Sequence, residues 1–366
     1  MKINKEKALY IHIPFCNNIC DYCDFTKLQY FPLIAKKYLQ CLKLEIKSYD
    51  IEKLETIYIG GGTPTSLDDD LFEELLKMIY PYTDGVKEYT VEANPESLSK
   101  TKLLMMKKYG VNRISLGVES TDNEVLHRIN RKHTFLDVIN VTKLMNEVGF
   151  DNYSFDLILG LPSTSIETIR KDINKLLSLN PKHISCYSLT IHEHTKFYID
   201  GIKEYDDDFI RTEYDLVNDI LTKNGYIHYE ISNWAMDGYY SLHNLVYWRD
   251  EGYFGVGLGA SGYVSGYRYT NTRSINKYLK GQTLSEKEVI SLKADKEYFI
   301  MLNLRTIFGL NRHQYIARFN EDLFITKECE INSLIKGGLL LKKDDEIIFP
   351  TYEGMMLLDR IILELI

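Results

Sequence analysis

A chain of 366 residues, 45% hydrophobic and 26% charged, is able to bury a full core, and at ~150 residues per domain it amounts to about 2.4 units, so one large domain with a smaller appendage is expected. Its 44 basic and 52 acidic residues leave a net charge of −8, which argues against a duplex-DNA coat or a polybasic membrane patch, so no nucleic-acid partner is expected. Met1 to Tyr10 alternates lysine with polar residues and lacks the apolar core of a secretory signal, no apolar run is long enough to span a bilayer, and six cysteines are too few for a disulfide scaffold, which together predict a cytoplasmic protein.

Taken in chain order, the periodicity predicts a strand over Ala8 to Ile13, a helix over Ala35 to Tyr49, a strand over Thr56 to Ile59 ending in three glycines, and a helix over Asp69 to Tyr80. Further strands are predicted at Glu88 to Ala93, Val111 to Val118, Tyr153 to Leu159 and His183 to Leu189, each but the last followed by a helical stretch. Strands alternating with helices of this length require right-handed crossovers and a parallel sheet. Six such units form either a flat doubly wound sheet or an incomplete barrel. The side-chain alternation favours the barrel: Tyr10 and His12, Glu92 and Asn94, Ser115, Gly117 and Glu119, and Ser154 and Asp156 fall on one face, opposite an apolar face suited to helix packing. These polar groups gather near the carboxyl ends of parallel strands, where such folds place ligands.

After about Tyr205 the rhythm changes. A helix over Asp208 to Asn224 leads into His228-Tyr-Glu-Ile-Ser-Asn233, then a stretch rich in glycine and tyrosine runs from Trp234 to Tyr269, and helical periodicity returns over Lys293 to Thr306. The tail from Leu323 reads as helix, short strands at Leu339 to Lys342 and Ile347 to Phe349, and helix, as in a small winged module. The expected organisation is a core over residues 1–235, an accessory region over 236–290 and a winged-helix-like module over 291–366.

Cys16, Cys20 and Cys23 follow the first strand at once. Three thiolates at this spacing suit one corner of an iron–sulfur cubane or part of a zinc site, and His12 is available to complete either. Cys41, Cys186 and Cys329 read as small buried apolar residues. His192 and His194 lie two apart, the spacing of a metal pair or of two solvent-exposed side chains.

The stretch Tyr10-Ile-His-Ile-Pro-Phe-Cys16-Asn-Asn-Ile-Cys20-Asp-Tyr-Cys23 resembles the opening motif of the radical S-adenosylmethionine (SAM) superfamily, in its coproporphyrinogen-oxidase-like branch. The resemblance continues through Gly60-Gly-Gly-Thr-Pro-Thr65, Glu92-Ala-Asn-Pro95, Asn112-Arg-Ile-Ser-Leu-Gly-Val118 and Phe155-Asp-Leu-Ile-Leu-Gly-Leu-Pro162. It implies an incomplete (β/α)6 barrel with a smaller α+β carboxyl-terminal domain. It also implies a [4Fe-4S] cluster held by three cysteines, with one iron left open to SAM, and an electron donor for that cluster. At the matching positions Tyr10, Tyr22, Gly61, Gly62, Thr63, Glu92, Glu119, Arg131 and Asp156 are implied as SAM contacts. Glu119 departs from the family, whose members usually carry glutamine there.

Two groups share these motifs, the oxygen-independent coproporphyrinogen dehydrogenases and the HemW-type haem chaperones. The dehydrogenase motif adds a cysteine two positions after the third, where this chain has Phe25, and carries a long segment ahead of the motif, where this chain has fifteen residues before Cys16. His243-Asn-Leu-Val-Tyr-Trp248 resembles the HNxxYW haem motif of the chaperone group. That group's pattern implies His243, Tyr247 and Trp248 as haem-binding residues, haem as cargo, and acceptor haemoproteins, some of them respiratory and membrane-bound, as partners. The alternative is radical-based oxidative decarboxylation of coproporphyrinogen.

Overall fold

The computed structural model describes residues 6–366. Met1 to Lys5, half of the amino-terminal stretch read above as carrying no signal, lie outside the described residues.

Six parallel strands form the centre of the molecule: β1 (Ala8–Ile13), β2 (Thr56–Gly61), β3 (Glu88–Ala93), β4 (Arg113–Glu119), β5 (Tyr153–Leu159) and β6 (His183–Ser188). Each of the first five is followed by helix: α1 (Pro32–Ser48), α2 (Asp69–Ile79), α3 (Lys100–Lys108), the pair α4 (Asn123–Arg128) and α5 (Phe135–Val148), and α6 (Ile166–Leu177). Local chemistry sets the helix starts. Pro32 opens α1, Asp69 and Asp70 sit in the first turn of α2 where the helix dipole favours negative charge, and Ser165 with Thr168 closes a capping box on α6.

The alternation read from sequence is realised. Leu9, Ile11, Ile13, Ile57, Ile59, Val91, Ile114, Leu116, Val118, Phe155, Leu157 and Leu159 are fully buried in one core with the helices. The opposite face of the same strands lines the barrel interior. Tyr10 pairs in register with Tyr58, Glu92 with Ser115 and Gly117 with Asp156, so the polar residues form rows across the strands.

Further strands extend this sheet at both ends, antiparallel to their neighbours except where Tyr253–Val256 pairs with β1. After α7 (Asp207–Lys223), β7 (Ile227–Glu230) and β8 (Asn233–Ala235) add to β6. A short helix, α8 (Leu242–Trp248), then leads to β9 (Tyr253–Val256), which returns parallel to β1, and to β10 (Ser261–Val264), β11 (Tyr267–Asn271) and β12 (Leu284–Val289). The resulting order is β12-β11-β10-β9-β1-β2-β3-β4-β5-β6-β8-β7. The strands of the region 236–290 thus continue the main sheet.

Residues from Leu292 onward build a second core around Phe299, Leu304, Tyr315, Leu340, Ile348 and Ile361, with a three-stranded antiparallel sheet of β13 (Leu310–Asn311), β14 (Leu340–Lys343) and β15 (Ile347–Pro350). Arg318 ties this core to the sheet: it meets Asp295 and reaches Asp250, which Arg268 of β11 also holds at 2.7 Å. Among the described residues no helix is long and apolar enough to cross a membrane.

The remaining cysteines part company with the sequence reading. Cys186 is buried, but Cys41 is half-buried and Cys329 is exposed. Cys329 lies on the helix Glu328–Lys336, whose inward positions are taken by Ile331 and Leu334, so the thiol falls on the outer face. His228 stacks on Trp234 at 4.3 Å, and its Nε2 pairs with the Tyr214 hydroxyl at 2.8 Å.

Candidate functional site

A cavity of about 420 Å³ opens at the carboxyl ends of β1 to β6. Cys16, Cys20 and Cys23 line it together with Tyr22, Gly61, Gly62, Thr63, Glu92, Glu119, Arg131 and Asp156. Of the twelve non-haem positions read from sequence, Tyr10 alone stands back from the cavity. Its hydroxyl donates to His12 Nδ1 at 2.9 Å, because His12 Nε2 must donate to the Thr26 carbonyl at 2.7 Å. His12 therefore pins the far end of the cysteine loop, and neither ring nitrogen is open to complete a metal site. Tyr10 sits one layer down, its ring 6.1 Å from that of Tyr58.

The cysteine loop faces a glycine shelf. A Cβ on Gly62 would lie 2.9 Å from Cys16 Sγ and 2.8 Å from the Pro14 carbonyl carbon, and one on Gly60 would lie 2.7 Å from the Glu92 carboxyl group. Gly61 adopts φ +116°, which L side chains rarely reach, and its N–H donates to Glu92 Oε2 at 2.9 Å. Bare backbone here brings strand end, thiol and carboxylate together.

Arg131 organises the opposite wall. It is buried, and its Nη2 donates to the Gly117 carbonyl and to Glu119 Oε1, each at 2.6 Å. Nη1 donates to Asn94 Oδ1 at 3.1 Å and to Cys20 Sγ at 3.7 Å. Asn94 passes the contact on to Thr63 Oγ1 at 3.1 Å, and Thr63 in turn donates to Cys16 Sγ at 3.9 Å. Two of the three sulfurs thus belong to one polar network with the groups read as SAM contacts. Glu119 reaches Arg131 from a left-handed backbone, φ 64°, at a register shift in the β4–β5 ladder. Its extra negative charge relative to glutamine is neutralised inside the protein by Arg131.

Electrostatics leave the site short of cations. Burial pushes the Glu92 carboxyl up to about 7, with Asp156 and Glu119 adding to the shift, and burial with Glu119 lifts Asp156 to about 6. Asp156 accepts from the Ser115 hydroxyl at 3.0 Å. Burial also raises the thiols, Cys16 to about 12 and Cys23 to about 11, while Arg131 opposes the rise at Cys20. A soft metal would have to displace those thiol protons on binding.

The residues fit the implied cofactors. Among the described residues no three His, Cys, Asp or Glu side chains converge on a single metal ion. Three soft thiols on one loop, lining one cavity, are the ligand type that iron–sulfur clusters take. Arg131 lines the cavity, and its Nε is buried without a hydrogen-bond partner. Glu92 and Asp156 line the same cavity and offer the counter-charge that an ammonium or sulfonium ligand requires.

The strand alternation that placed Glu92 and Asp156 also places Tyr58 and Tyr187 in the cavity wall. Sequence reading passed over both. The signal was available at Tyr58, which shares a face with Gly60 two residues on.

His243, Tyr247 and Trp248 lie elsewhere. They belong to α8, which closes the amino-terminal end of the barrel, where the Leu242 and His243 N–H groups donate to the Glu88 carboxylate at the start of β3. His243 is 1% exposed, with Nδ1 paired to Thr56 Oγ1 and Nε2 to the Tyr247 hydroxyl, both at 2.8 Å. Burial drives its pKa down to about 3, so the ring is neutral. The half-buried Trp248 keeps its indole N–H inside without a partner.

Comparison with known proteins adds to this geometry. The profile of the radical SAM superfamily matches residues 10–176. The haem chaperone HemW of Lactococcus lactis subsp. lactis is 38% identical over 97% of this chain and 96% of its own length. HemW of Bacillus subtilis is 35% identical over 96% and 97%. Among solved structures, the coproporphyrinogen III oxidase HemN of Escherichia coli, a radical SAM enzyme, superposes with a TM-score of 0.85 over 99% of this chain and 90% of its own, at 21% identity, which establishes the shared fold. With this extent of identity to the HemW proteins and the radical SAM profile across its barrel, the chain belongs to the HemW family of the radical SAM superfamily.

Proposed function

We propose that this protein is a haem chaperone that binds a [4Fe-4S] cluster through Cys16, Cys20 and Cys23, holds SAM in the barrel cavity, and passes haem to acceptor haemoproteins. The observation that carries this reading is the single cavity in which three thiols face Gly61, Gly62, Glu92, Asp156 and Arg131. Phe25 stands on the loop where the dehydrogenase pattern has a further cysteine, and the relatives named above are haem chaperones.

When bound and reduced, the cluster supplies one-electron chemistry toward SAM. The chain's own residues bind and orient. Gly61, Gly62 and Thr63 offer backbone at close range to the methionine end. Glu92 and Asp156 carry the counter-charge for a cation, and Arg131 holds Glu119 and Cys20. Tyr22 lines the cavity beside the loop, its ring 6.4 Å from that of Phe197.

For haem, His243, Tyr247 and Trp248 are the proposed contacts. Iron ligation by His243 requires Nε2 to exchange the Tyr247 hydroxyl for the metal, so the haem-loaded state differs from the closed α8 described above. The acceptors are haemoproteins, respiratory ones among them, and a separate reductant feeds the cluster. Six free cysteines agree with work in the reducing cytoplasm.

The test is an anaerobic assay of the reconstituted chain with SAM, haem and coproporphyrinogen in one sample. The reading predicts haem binding, transfer to an apo-haemoprotein and no protoporphyrinogen. Protoporphyrinogen formation would replace it with the dehydrogenase reading. Haem titration of His243→Ala checks the ligand: a weakened, altered Soret band is expected, and spectra identical to wild type would remove His243 from the haem site.

A further inference from the structure

The barrel interior connects the two functional motifs. Thr56, Tyr58 and Gly60 follow one another on the inner face of β2. His243 enters between the first two from below, bonded to Thr56 Oγ1 and with its ring stacked 5.1 Å from that of Tyr58 at an interplanar angle of 29°. On its far side Tyr247 holds the imidazole, and Tyr253 of β9 holds Tyr247, their rings 4.5 Å apart. Tyr58 thus has a fixed ring. Its hydroxyl donates to Glu92 Oε1 at 2.7 Å, while Glu92 Oε2 accepts the Gly61 N–H at 2.9 Å. A continuous series of contacts runs from the helix that seals one end of the barrel to the glycine shelf and carboxylate at the other.

We propose that His243 is a positioning residue of the SAM pocket, holding Tyr58 and through it Glu92, so that iron ligation by His243 and tight SAM binding exclude one another. The inference rests on the reading of this cavity as the SAM site and of haem as cargo. The physical reason is stoichiometric: the imidazole has two nitrogens, and both are spent on the closed arrangement. A haem iron that took Nε2 would release Tyr247, unseat the ring from Tyr58 and loosen Glu92. By linkage, SAM must then weaken haem ligation by the same factor.

The experiment is anaerobic titration of SAM into the reconstituted full-length chain, with iron and sulfide content measured alongside. Tyr58→Phe, which keeps the ring and removes only the donor to Glu92, is expected to weaken SAM binding about tenfold with the cluster intact. His243→Ala is expected to do the same, and the double variant to be no weaker than the stronger single one, because both act on one series of contacts. Saturating haem is expected to weaken SAM binding in wild type and to lose most of that effect in Tyr58→Phe. SAM affinity within twofold of wild type in Tyr58→Phe would overturn the proposal, whether or not His243→Ala folds. Loss of affinity only in parallel with loss of cluster would overturn it too, since that marks a purely structural role. If wild type takes up no haem, the cargo reading fails while the SAM titrations still judge the positioning role. If wild type binds no SAM, the pocket reading itself fails.

Discussion

The two ends of the barrel treat their polar groups in opposite ways. At the carboxyl end, three thiols, the Arg131 guanidinium and two carboxylates of raised pKa line one cavity. At the amino end, His243 has a hydroxyl on each ring nitrogen, and Glu88 accepts two backbone N–H groups. The first end gathers the groups that would take a ligand. At the second, both nitrogens of His243 are paired within the protein, which is why a histidine from a haem motif reads here as part of the wall.

The sharpest way to break this contrast is at the sulfurs. Replacing Cys16, Cys20 or Cys23 by alanine is expected to abolish cluster assembly, measured as iron and sulfide per chain, whereas Cys41→Ala and Cys329→Ala leave it at the wild-type level. Next in size is the glycine shelf: Gly60→Ala places a methyl 2.7 Å from the Glu92 carboxyl group, and a loss of SAM affinity of about a hundredfold is expected by calorimetry, with the cluster retained. An unchanged affinity would show that Glu92 takes no part.

Arg131→Met probes the charge balance. It leaves the half-buried Glu119 unpaired and is expected to cost up to about 3 kcal/mol in denaturant unfolding. Adding Glu119→Gln should recover much of that loss, because the stranded charge disappears. No recovery would contradict the neutralisation of Glu119 by Arg131.

The smallest expected effect is the pH dependence of SAM binding. Burial holds the Glu92 and Asp156 carboxyls up at about 7 and about 6. A cationic ligand needs them charged, so binding releases protons and affinity falls as the pH drops from 8 to 5. For folding without added SAM the sign is the reverse: a raised carboxyl pKa gives Glu92 a stabilising contribution that is full below the ordinary 4.5 and lost as the pH rises through about 7. The upward shift of Tm on adding SAM should therefore grow with pH. Glu92→Gln is expected to flatten both profiles.

The six core strands and the inner polar face were legible because alternation along a strand is a local property, and Glu92, Ser115 and Asp156 kept their predicted face. The cysteine loop was legible because spacing and chemistry coincide within eight residues. Tyr58 was missed because an aromatic in a strand reads as core, and only the neighbouring strand reveals that its hydroxyl meets Glu92. The pairing of Arg131 with Glu119 depends on a left-handed backbone at Glu119 and a register shift, neither of which has a local signal in a glutamate. Cys329 was assigned to the interior by residue type, and the phase of its helix decided otherwise. His243 was recognised by its motif, but the motif does not encode which end of the barrel it closes.

The central claim is that three sulfurs hold an iron–sulfur cluster with one iron left for SAM. The most direct measurement is the electron paramagnetic resonance spectrum of the anaerobically reconstituted, reduced chain before and after SAM is added, with iron and sulfide determined on the same sample. The account predicts about four irons and four sulfides per chain and a spectrum that changes when SAM binds. Zinc without sulfide, or a cluster spectrum indifferent to SAM, would contradict it.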